Sequence, residues 1–189
     1  MKNVNFTEFI PFKELLSIES LEKVNACLSL VEKDKGELLI SDIKLDVHSY
    51  IVMQGILRAY INTEEKEITF WFPKEGDIIT STYGYFYKTK GYENFQALEN
   101  VCLLKIDMEK MRELYNKHIE IANWSRVVTE KEGILSEERH LDYILLSPEE
   151  RYQKLLSTQP SLFQRVMLKE IASYIGVSPV SLSRIRARF

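Results

Sequence analysis

The stretch LKEIASYIGVSPVSLSRIR, which spans residues 168–186, decides how the end of the chain folds. Leu168, Ile171 and Ile175 recur at helical spacing, so they place one apolar face on a first short helix. Gly176 follows directly, and glycine ends helices readily because it adopts a left-handed backbone without steric cost. The pattern therefore predicts a short helix that stops at a tight turn.

A second helix is predicted directly after the turn. Ser178 supplies a hydroxyl for the free N–H groups at its start, and Pro179 suits its first position. Leu182 and Ile185 turn an apolar face back onto the first helix. The opposite face is polar and basic, and it carries Ser181, Ser183, Arg184, Arg186 and Arg188. This arrangement is typical of a helix-turn-helix, whose second helix enters the DNA major groove; the alternative is a plain αα-hairpin.

The charge distribution favours DNA binding over the plain hairpin. Residues 151–189 carry seven basic residues and one acidic residue, a net charge of +6. Residues 1–150 carry 18 basic and 27 acidic residues, a net charge of −9, and the two parts give the −3 of the whole chain. An acidic body joined to a basic end is typical of a sensor linked to a nucleic-acid reader.

Length and composition indicate a globular protein with room for two small domains. The chain has 189 residues, of which 45% are hydrophobic and 28% charged. It lacks the run of ~18 apolar residues that a membrane helix needs, and its first residues lack the apolar segment of a secretory signal. Cys27 and Cys102 lie far apart in apolar surroundings, which favours buried thiols over a disulfide. We therefore expect a cytoplasmic protein with no membrane partner.

Residues 5–31 have helical periodicity and are predicted to form a helical cap. From Lys35 the chain changes to short runs rich in β-branched and aromatic residues, separated by turn signals. Many strands at this spacing, with no helix between them, predict an antiparallel barrel or jelly roll over residues 35–106. The run GDIITSTYGYF, residues 76–86, is counted among these strands.

Helical periodicity returns at Asp107, which is placed to cap a helix, and a longer helix is predicted from about residue 118 to 146. The longer helix has more apolar surface than one barrel covers, so we expect it to form a loose coiled-coil seam with a second copy of the chain. The alternative is packing on its own barrel. The residues predicted to form the dimer interface are Ile121, Trp124, Val128 and Leu135.

The last domain begins with clear capping chemistry. Ser147 is an N-cap residue, Pro148 occupies the first helical position, and Glu150 completes a capping box. The predicted organisation is a sensor domain over residues 1–116, a dimerisation helix over 117–146 and a helix-turn-helix domain over 147–189.

The whole order resembles the Crp/Fnr family of bacterial transcription regulators, over essentially the full length. The segments KGELLI, QGILRAY, EITFWF, EGDIIT and FQALEN are similar to strands of the family's cyclic-nucleotide-binding-type domain. SPEERYQKLL and LKEIASYIGVSPVSLSRIRARF are similar to its DNA-binding end. The resemblance implies an α+β chain with an antiparallel β-roll, a long dimerisation helix and a C-terminal helix-turn-helix. It also implies a homodimer that binds double-stranded DNA with helix 179–189 of each copy, with RNA polymerase as a further candidate partner.

The resemblance assigns roles within the second helix of the motif. Arg184 matches a family arginine, a residue type that donates two parallel hydrogen bonds to guanine. Ser181 matches a position usually held by Thr or Ser. Val180 departs from the family's frequent glutamate and Pro179 from an arginine or serine, so the best-known half-site of the family is not expected here. The candidate DNA contacts are Lys169, Ser178, Val180, Ser181, Ser183, Arg184, Arg186 and Arg188.

The ligand site departs further from the family. Nucleotide-binding members carry an arginine that pairs with the cyclic phosphate. This chain has no arginine from Ala59 to Met111, and Glu93, near the expected place, would repel an anion. We expect that cyclic AMP does not bind with family-like affinity, and the effector remains unidentified. The candidate effector pocket consists of Thr80, Ser81, Thr82, Tyr83, Tyr92 and Asn94.

Aromatic residues are dense between Tyr83 and Phe95, and we interpret them as barrel core and helix interface rather than an apolar ligand pocket. Metal chemistry of the cupin kind is not expected, because His48 is the one histidine of the β-region. No phosphate loop, nucleophile motif or cofactor motif is found, so enzyme activity and a cofactor are not expected. The alternative function is a cupin-like barrel that binds a small molecule but no DNA.

Overall fold

The computed structural model describes residues 5–188. An antiparallel β-roll lies between an N-terminal helical segment and a set of C-terminal helices. The strands are β1 Leu28–Lys33, β2 Leu38–Ile40, β3 Ser49–Gln54, β4 Leu57–Asn62, β5 Glu67–Trp71, β6 Ile78–Thr80, β7 Glu93–Ala97 and β8 Val101–Ile106. The helices are α1 Ile18–Asn25, α2 Thr82–Tyr87, α3 Met108–Lys117, α4 Ile119–Leu145, α5 Pro148–Thr158, α6 Leu162–Arg165, α7 Leu168–Ile175 and α8 Pro179–Arg186.

The β-roll consists of two four-stranded antiparallel sheets, ordered β1-β8-β3-β6 and β2-β7-β4-β5. Apolar side chains from both sheets meet between them, including the fully buried Leu57, Ile79 and Leu103. Strand β5 lies at the edge of its sheet, so one side of its backbone is left for contacts outside the sheet. The predicted antiparallel β-roll is confirmed.

The predicted C-terminal boundary of the N-terminal helical segment, residue 31, is wrong. Helix α1 stops at Asn25, and β1 then pairs with β8 in register from Leu28↔Ile106 to Lys33↔Val101. Pairing with a buried strand therefore overrides the helical spacing of the apolar residues in this segment. The β-roll begins at Leu28, earlier than the predicted residue 35.

The run at residues 76–86 is a strand only in part. After β6 the chain turns into α2, whose Gly84 packs against the backbone of the loop before β3. A Cβ on Gly84 would lie 1.7 Å from the carbonyl oxygen of Asp46, so only glycine allows this close approach.

The helix boundaries predicted from capping residues are confirmed. The Asp107 carboxylate accepts the N–H groups of residues 109 and 110 at the start of α3. The Ser147 hydroxyl accepts the N–H of Glu150 at 3.3 Å, and the Glu150 carboxylate accepts the N–H of Ser147 at 2.8 Å. Helix α8 is shorter than the predicted 179–189, since it ends at Arg186; Phe189 lies outside the described residues.

Helix α4 packs partly on its own chain. Ile121 is fully buried and Trp124 is 4% exposed, both in a cluster formed with the N-terminal segment and the β-roll. The Trp124 indole Nε1–H donates to the carbonyl oxygen of Pro11 at 2.7 Å. The prediction that these two residues form a dimer interface is therefore wrong, because their surfaces are already covered within one chain. Val128 and Leu135 are half-buried.

Candidate nucleic-acid interface

The helix-turn-helix forms as its residue pattern predicts. Gly176 ends α7 with φ of 82°, and the Ser178 hydroxyl accepts the N–H of Ser181 at 3.1 Å at the start of α8. The two helices bury a shared core: Ile171, Ala172, Ile175, Leu182 and Ile185. This core fixes which side of α8 faces outward.

The outward side of α8 carries four of the eight predicted DNA contacts. Val180 is 62% exposed, and Ser183, Arg184 and Arg186 are exposed beside it. Arg188 is also exposed, and its guanidinium lies 3.3 Å from the Glu149 carboxylate. The structure thus exposes three arginines and a small apolar side chain within residues 180–188.

Two of the predicted DNA contacts form hydrogen bonds within the turn. The Ser178 hydroxyl caps α8 and lies 2.9 Å from the hydroxyl of Ser181, which is half-buried. Both hydroxyls therefore already have hydrogen-bond partners within the motif. Lys169 lies apart from the α8 face, at the edge of a cleft between α7 and the β-roll.

Arg151, counted in the sequence as part of the basic end, holds the domain together. Its Nε and Nη2 donate to the carbonyl oxygen of Ile175 at 3.0 and 2.8 Å, and Nη1 donates to the carbonyl of Tyr143 at 2.9 Å. Carbonyls at helix C-termini lack partners within their helices, and a cation there is favourable. Arg151 thus ties the end of α4 to the end of α7. Its role was not apparent from the sequence, because these carbonyls meet only in the folded chain.

Arg165 joins the helix-turn-helix domain to the β-roll. Its guanidinium binds Glu75 at 2.7 Å and also contacts the carboxylate of Glu99. The Arg165 guanidinium lowers the pKa of the Glu75 carboxyl to about 2. A further basic residue, Lys154, pairs with Asp142 at 2.6 Å. Part of the +6 charge is therefore neutralised inside the chain, and the arginines of α8 remain on the surface.

A side chain of α7 pairs with the edge strand β5. The Ser173 hydroxyl accepts the N–H of Thr69 at 3.0 Å and donates to the carbonyl of Glu67 at 3.1 Å. The ring of Phe72 packs on Tyr174, with centroids 5.4 Å apart. The β-roll residues Ile56 and Phe72 belong to the core of the helix-turn-helix domain. The two domains thus share an apolar and hydrogen-bonded contact.

The predicted effector residues are only partly brought together. Tyr83 and Tyr92 are exposed and their rings contact each other, with centroids 5.4 Å apart; Thr82 is exposed as well. Ser81 and Asn94 are buried at 1% and 2% exposure. The remaining residue, half-buried Thr80, shares a hydrogen bond of 2.7 Å with the Ser49 hydroxyl.

The interpretation of the aromatic residues as core is wrong for four of them. Tyr83, Phe86, Tyr87 and Tyr92 are between 44% and 72% exposed. Their rings contact one another; Tyr83, Phe86 and Tyr87 lie on α2, and Tyr92 lies in the loop that follows. Phe95 is buried as expected.

Glu93, expected to repel an anion, is itself buried at 7% exposure. Its carboxylate accepts the N–H of Tyr92 at 3.0 Å and lies against Gly91, where a Cβ would come within 2.6 Å of it. Within residues 5–188, no group of three His, Cys, Asp or Glu side chains is arranged to hold a metal ion. Over the same residues, no helix is long and apolar enough to cross a membrane.

A β-roll followed by a long helix and a helix-turn-helix defines the fold of the Crp/Fnr transcription regulators. A regulator of this family from Eubacterium rectale superposes with a TM-score of 0.73 at 16% identity, covering 96% of this chain and 87% of that one. FixK2 from Bradyrhizobium japonicum superposes with a TM-score of 0.71 at 15% identity, covering 85% of this chain and 83% of that one. CLP from Xanthomonas campestris, described as a c-di-GMP-responsive global regulator, superposes with a TM-score of 0.67 at 14% identity, covering 91% of each chain.

Residues 30–118 match the family of the cyclic nucleotide-binding domain. A comparison with curated protein sequences finds no match. The chain therefore contains a cyclic nucleotide-binding domain within a Crp/Fnr fold, which confirms the resemblance and the fold class predicted from the sequence. The cupin-like alternative is not favoured.

Proposed function

We propose that the protein is a homodimeric transcription regulator of the Crp/Fnr type that binds double-stranded DNA through α8. The observation that carries this proposal is the basic face of α8, held outward by a sealed apolar core. A helix of this kind fits the major groove, and paired helices read two half-sites about one helical turn apart.

The residues of α8, together with Arg188 just after it, divide into two kinds of contact. Arg184 donates to the edge of guanine, and the exposed Val180 meets a thymine methyl. Arg186 and Arg188 neutralise phosphates, which fixes the register on DNA without reading its sequence. Arg188 exchanges its ion pair with Glu149 for a phosphate contact.

The proposed dimer uses the C-terminal half of α4. Ile134, Leu141 and Leu145 are 51%, 46% and 71% exposed and follow one another at spacings of seven and four residues. This spacing produces an apolar seam along a helix pair. The seam lies next to the helix-turn-helix domain, so it would set the distance between the two copies of α8.

The sensor domain is proposed not to bind cyclic AMP with the affinity of nucleotide-binding relatives. The buried Glu93 carboxylate lies among the candidate effector residues, and a negative charge there opposes a cyclic phosphate. Calorimetric titration with cyclic AMP tests this point, and micromolar binding would refute it.

The DNA proposal is tested by selecting bound duplexes from a random pool and measuring their affinity by fluorescence anisotropy. Affinity should fall steeply with salt, because each neutralised phosphate releases counterions. Arg184→Ala should weaken binding to the selected site by about 10- to 100-fold, the loss of one bidentate base contact.

The matched control is Arg112→Ala, which removes an exposed arginine from the sensor domain. It should leave DNA affinity unchanged within about twofold. Equal losses in the two variants, or binding that does not depend on salt, would contradict recognition through α8.

A further inference from the structure

The guanidinium of Arg151, near the start of α5, lies between the ends of two other helices. Its Nε and Nη2 donate to the carbonyl oxygen of Ile175, the last residue of α7, at 3.0 and 2.8 Å. Its Nη1 donates to the carbonyl oxygens of Tyr143 and Leu146, at the end of α4, at 2.9 and 2.5 Å. A single side chain of α5 therefore holds backbone groups of α4 and α7 together.

The ring of Tyr143 extends this contact to the turn of the helix-turn-helix. The Arg151 guanidinium lies over that ring, 4.8 Å from its centroid. The same ring lies against Gly176, where a Cβ would come within 3.3 Å of ring atom Cε2 and of the hydroxyl oxygen. The cap of α8, Ser178, follows directly after this turn. We call Tyr143, Arg151 and Gly176 the helix joint, since they connect the end of α4 to the turn that begins α8.

An arginine suits the helix joint for a geometric reason. Its guanidinium is planar and holds its donors in fixed directions, so carbonyls from two helix ends that bind it keep a fixed relative position. Lys154 of α5 also pairs with Asp142 of α4, at 2.6 Å, but an ammonium on a flexible stem restricts orientation less. The contacts of Ser173 and Arg165 hold the domain on the β-roll and not on α4. Arg151 is thus placed to fix the angle between α4 and α8.

The position of the helix joint on α4 links it to the proposed dimer. Tyr143 lies between Leu141 and Leu145, two exposed residues of the proposed apolar seam. Contact along the seam would fix the end of α4 in each copy, and Arg151 would transmit that position to α8. We propose that Arg151 is a positioning residue that sets the distance and rotation between the two copies of α8. It thereby selects the spacing of the two half-sites on DNA, an inference that rests on the proposed function.

The spacing preference is measured by fluorescence anisotropy on duplexes derived from the selected operator. One base pair inserted between the half-sites moves one of them by about 3.4 Å and turns it by about 35° around the DNA axis. The unmodified chain should bind this altered operator about tenfold more weakly or worse, because both copies of α8 no longer engage together. In Arg151→Lys, which keeps the charge but lacks the planar fork, this penalty should shrink to about threefold or less.

Binding to a single half-site at low salt separates positioning from folding. Arg151→Lys should match the unmodified chain there within about twofold, because one copy of α8 needs no fixed partner. A loss of half-site binding as large as the loss on the whole operator gives Arg151 a merely structural role and overturns the proposal. A spacing penalty of unchanged size in Arg151→Lys also overturns it.

The matched control is Arg126→Lys, the same exchange at an arginine whose partner, Glu130, lies on its own helix. This variant should keep the full spacing penalty. If Arg151→Lys fails to fold, Tyr143→Ala takes its place, since Tyr143 is 55% exposed and its ring supports the guanidinium. An unchanged spacing penalty in that variant overturns the proposal equally.

A measurement without DNA distinguishes failure of this proposal from failure of the proposed function. Spin labels on Glu137→Cys in α4 and Ser183→Cys in α8, both exposed positions, report the distance between the two helices. Labelled chain is mixed with excess unlabelled chain, and Cys102→Ser removes the half-buried thiol. The distance distribution should be at least about twice as wide in Arg151→Lys as with Arg151 present. Equal widths overturn the proposal; broadening in a chain that binds no DNA means that the proposed function fails and the helix joint stands.

Discussion

Helices α8 and α4 show two different relations between sequence pattern and burial. In α8 the apolar residues Leu182 and Ile185 are buried, and the polar face is exposed. In α4 the apolar residues divide along the helix: Trp124 near the start is buried, and Leu141 and Leu145 near the end are exposed. A short helix that packs on one neighbour follows its periodicity, whereas a 27-residue helix passes several neighbours.

The difference has a simple physical origin. Periodicity states which side of a helix is apolar, but it does not state which surface covers that side at each turn. The first turns of α4 lie under the N-terminal segment, where the carbonyl of Pro11 meets the Trp124 indole. In the last turns, Leu141, Ile144 and Leu145 are 46%, 68% and 71% exposed. Apolar residues at similar spacing are therefore part of the chain's own core in one half of α4 and are exposed in the other half.

Replacing the buried tryptophan of α4 should give the largest effect. Trp124→Ala removes a ring that is 4% exposed, together with its hydrogen bond to Pro11, and should lower the free energy of unfolding by about 3–5 kcal/mol. Urea denaturation followed by circular dichroism measures the loss. Ile119→Ala is the control, since Ile119 is 76% exposed at the start of the same helix and should change stability by less than about 0.5 kcal/mol. Similar losses of stability in Trp124→Ala and Ile119→Ala would contradict the division of α4 into buried and exposed parts.

The exposed half of α4 should determine self-association. Leu141→Glu places a charge in the proposed apolar seam and should weaken dimerisation by about 2 kcal/mol, or roughly 30-fold in Kd. Sedimentation equilibrium measures this change. Glu137→Gln alters an exposed polar residue of the same helix and should leave Kd near that of the unmodified chain. A dimer that is unaffected by Leu141→Glu would place the interface elsewhere.

The start of α8 should contribute a smaller amount of stability. Ser178→Ala removes the hydroxyl that accepts the Ser181 N–H, and should cost about 1 kcal/mol in the free energy of unfolding. Ser183→Ala removes an exposed hydroxyl from the same helix and should cost less than about 0.5 kcal/mol. Chemical denaturation of both variants separates the cap from general loss of polarity. Equal costs would mean that the cap does not stabilise the turn.

The ion pair between the domains should give the smallest effect, and it should depend on pH. The folded-state pKa of Glu75 is about 2, below its ordinary value of 4.5, because Arg165 stabilises the carboxylate. Its contribution is therefore fully present above pH 4.5 and is lost as the pH falls toward 2. The side chain is 42% exposed, so the contribution should stay below about 1 kcal/mol.

Glu75→Gln isolates this contribution from that of the other carboxylates. The difference in unfolding free energy between the original chain and the variant should be largest at neutral pH and shrink between pH 4.5 and 2. Denaturation at a series of pH values measures it. A difference that stays constant across the series would show that the Glu75 charge does not stabilise the domain contact.

Local chemistry predicted the parts of the structure that depend on neighbours in sequence. The caps at Asp107 and Ser147, the turn at Gly176 and the exposed arginines of α8 all follow from residue type and spacing. Pairing between segments that lie far apart in the sequence was harder to predict from the sequence. The helical pattern predicted for residues 5–31 includes the first four residues of β1, because the partner strand β8, which fixes their backbone, lies far along the chain.

The candidate interface shows the same limit at the level of single side chains. The net charge calculated from the sequence includes Arg151 and Arg165 among the basic residues of a predicted DNA-binding end. In the structure, Arg151 donates hydrogen bonds to a backbone carbonyl, and Arg165 pairs with a carboxylate of the β-roll. Charge counts carry no information on partners within the fold, so they overstate the positive charge that the folded chain exposes.

The sequence by itself determined the helix-turn-helix, the strand-rich middle and the side of α8 that faces outward, because each depends on interactions within a few residues. The tertiary structure decided which half of α4 is covered, why the rings of Tyr83 and Tyr92 are exposed, and how the two domains meet. It also brought Glu170 of α7 next to Arg58 and Glu67 of the β-roll, where its Oε2 has no hydrogen-bond partner among the described residues. These features depend on surfaces that are brought together only when the chain folds.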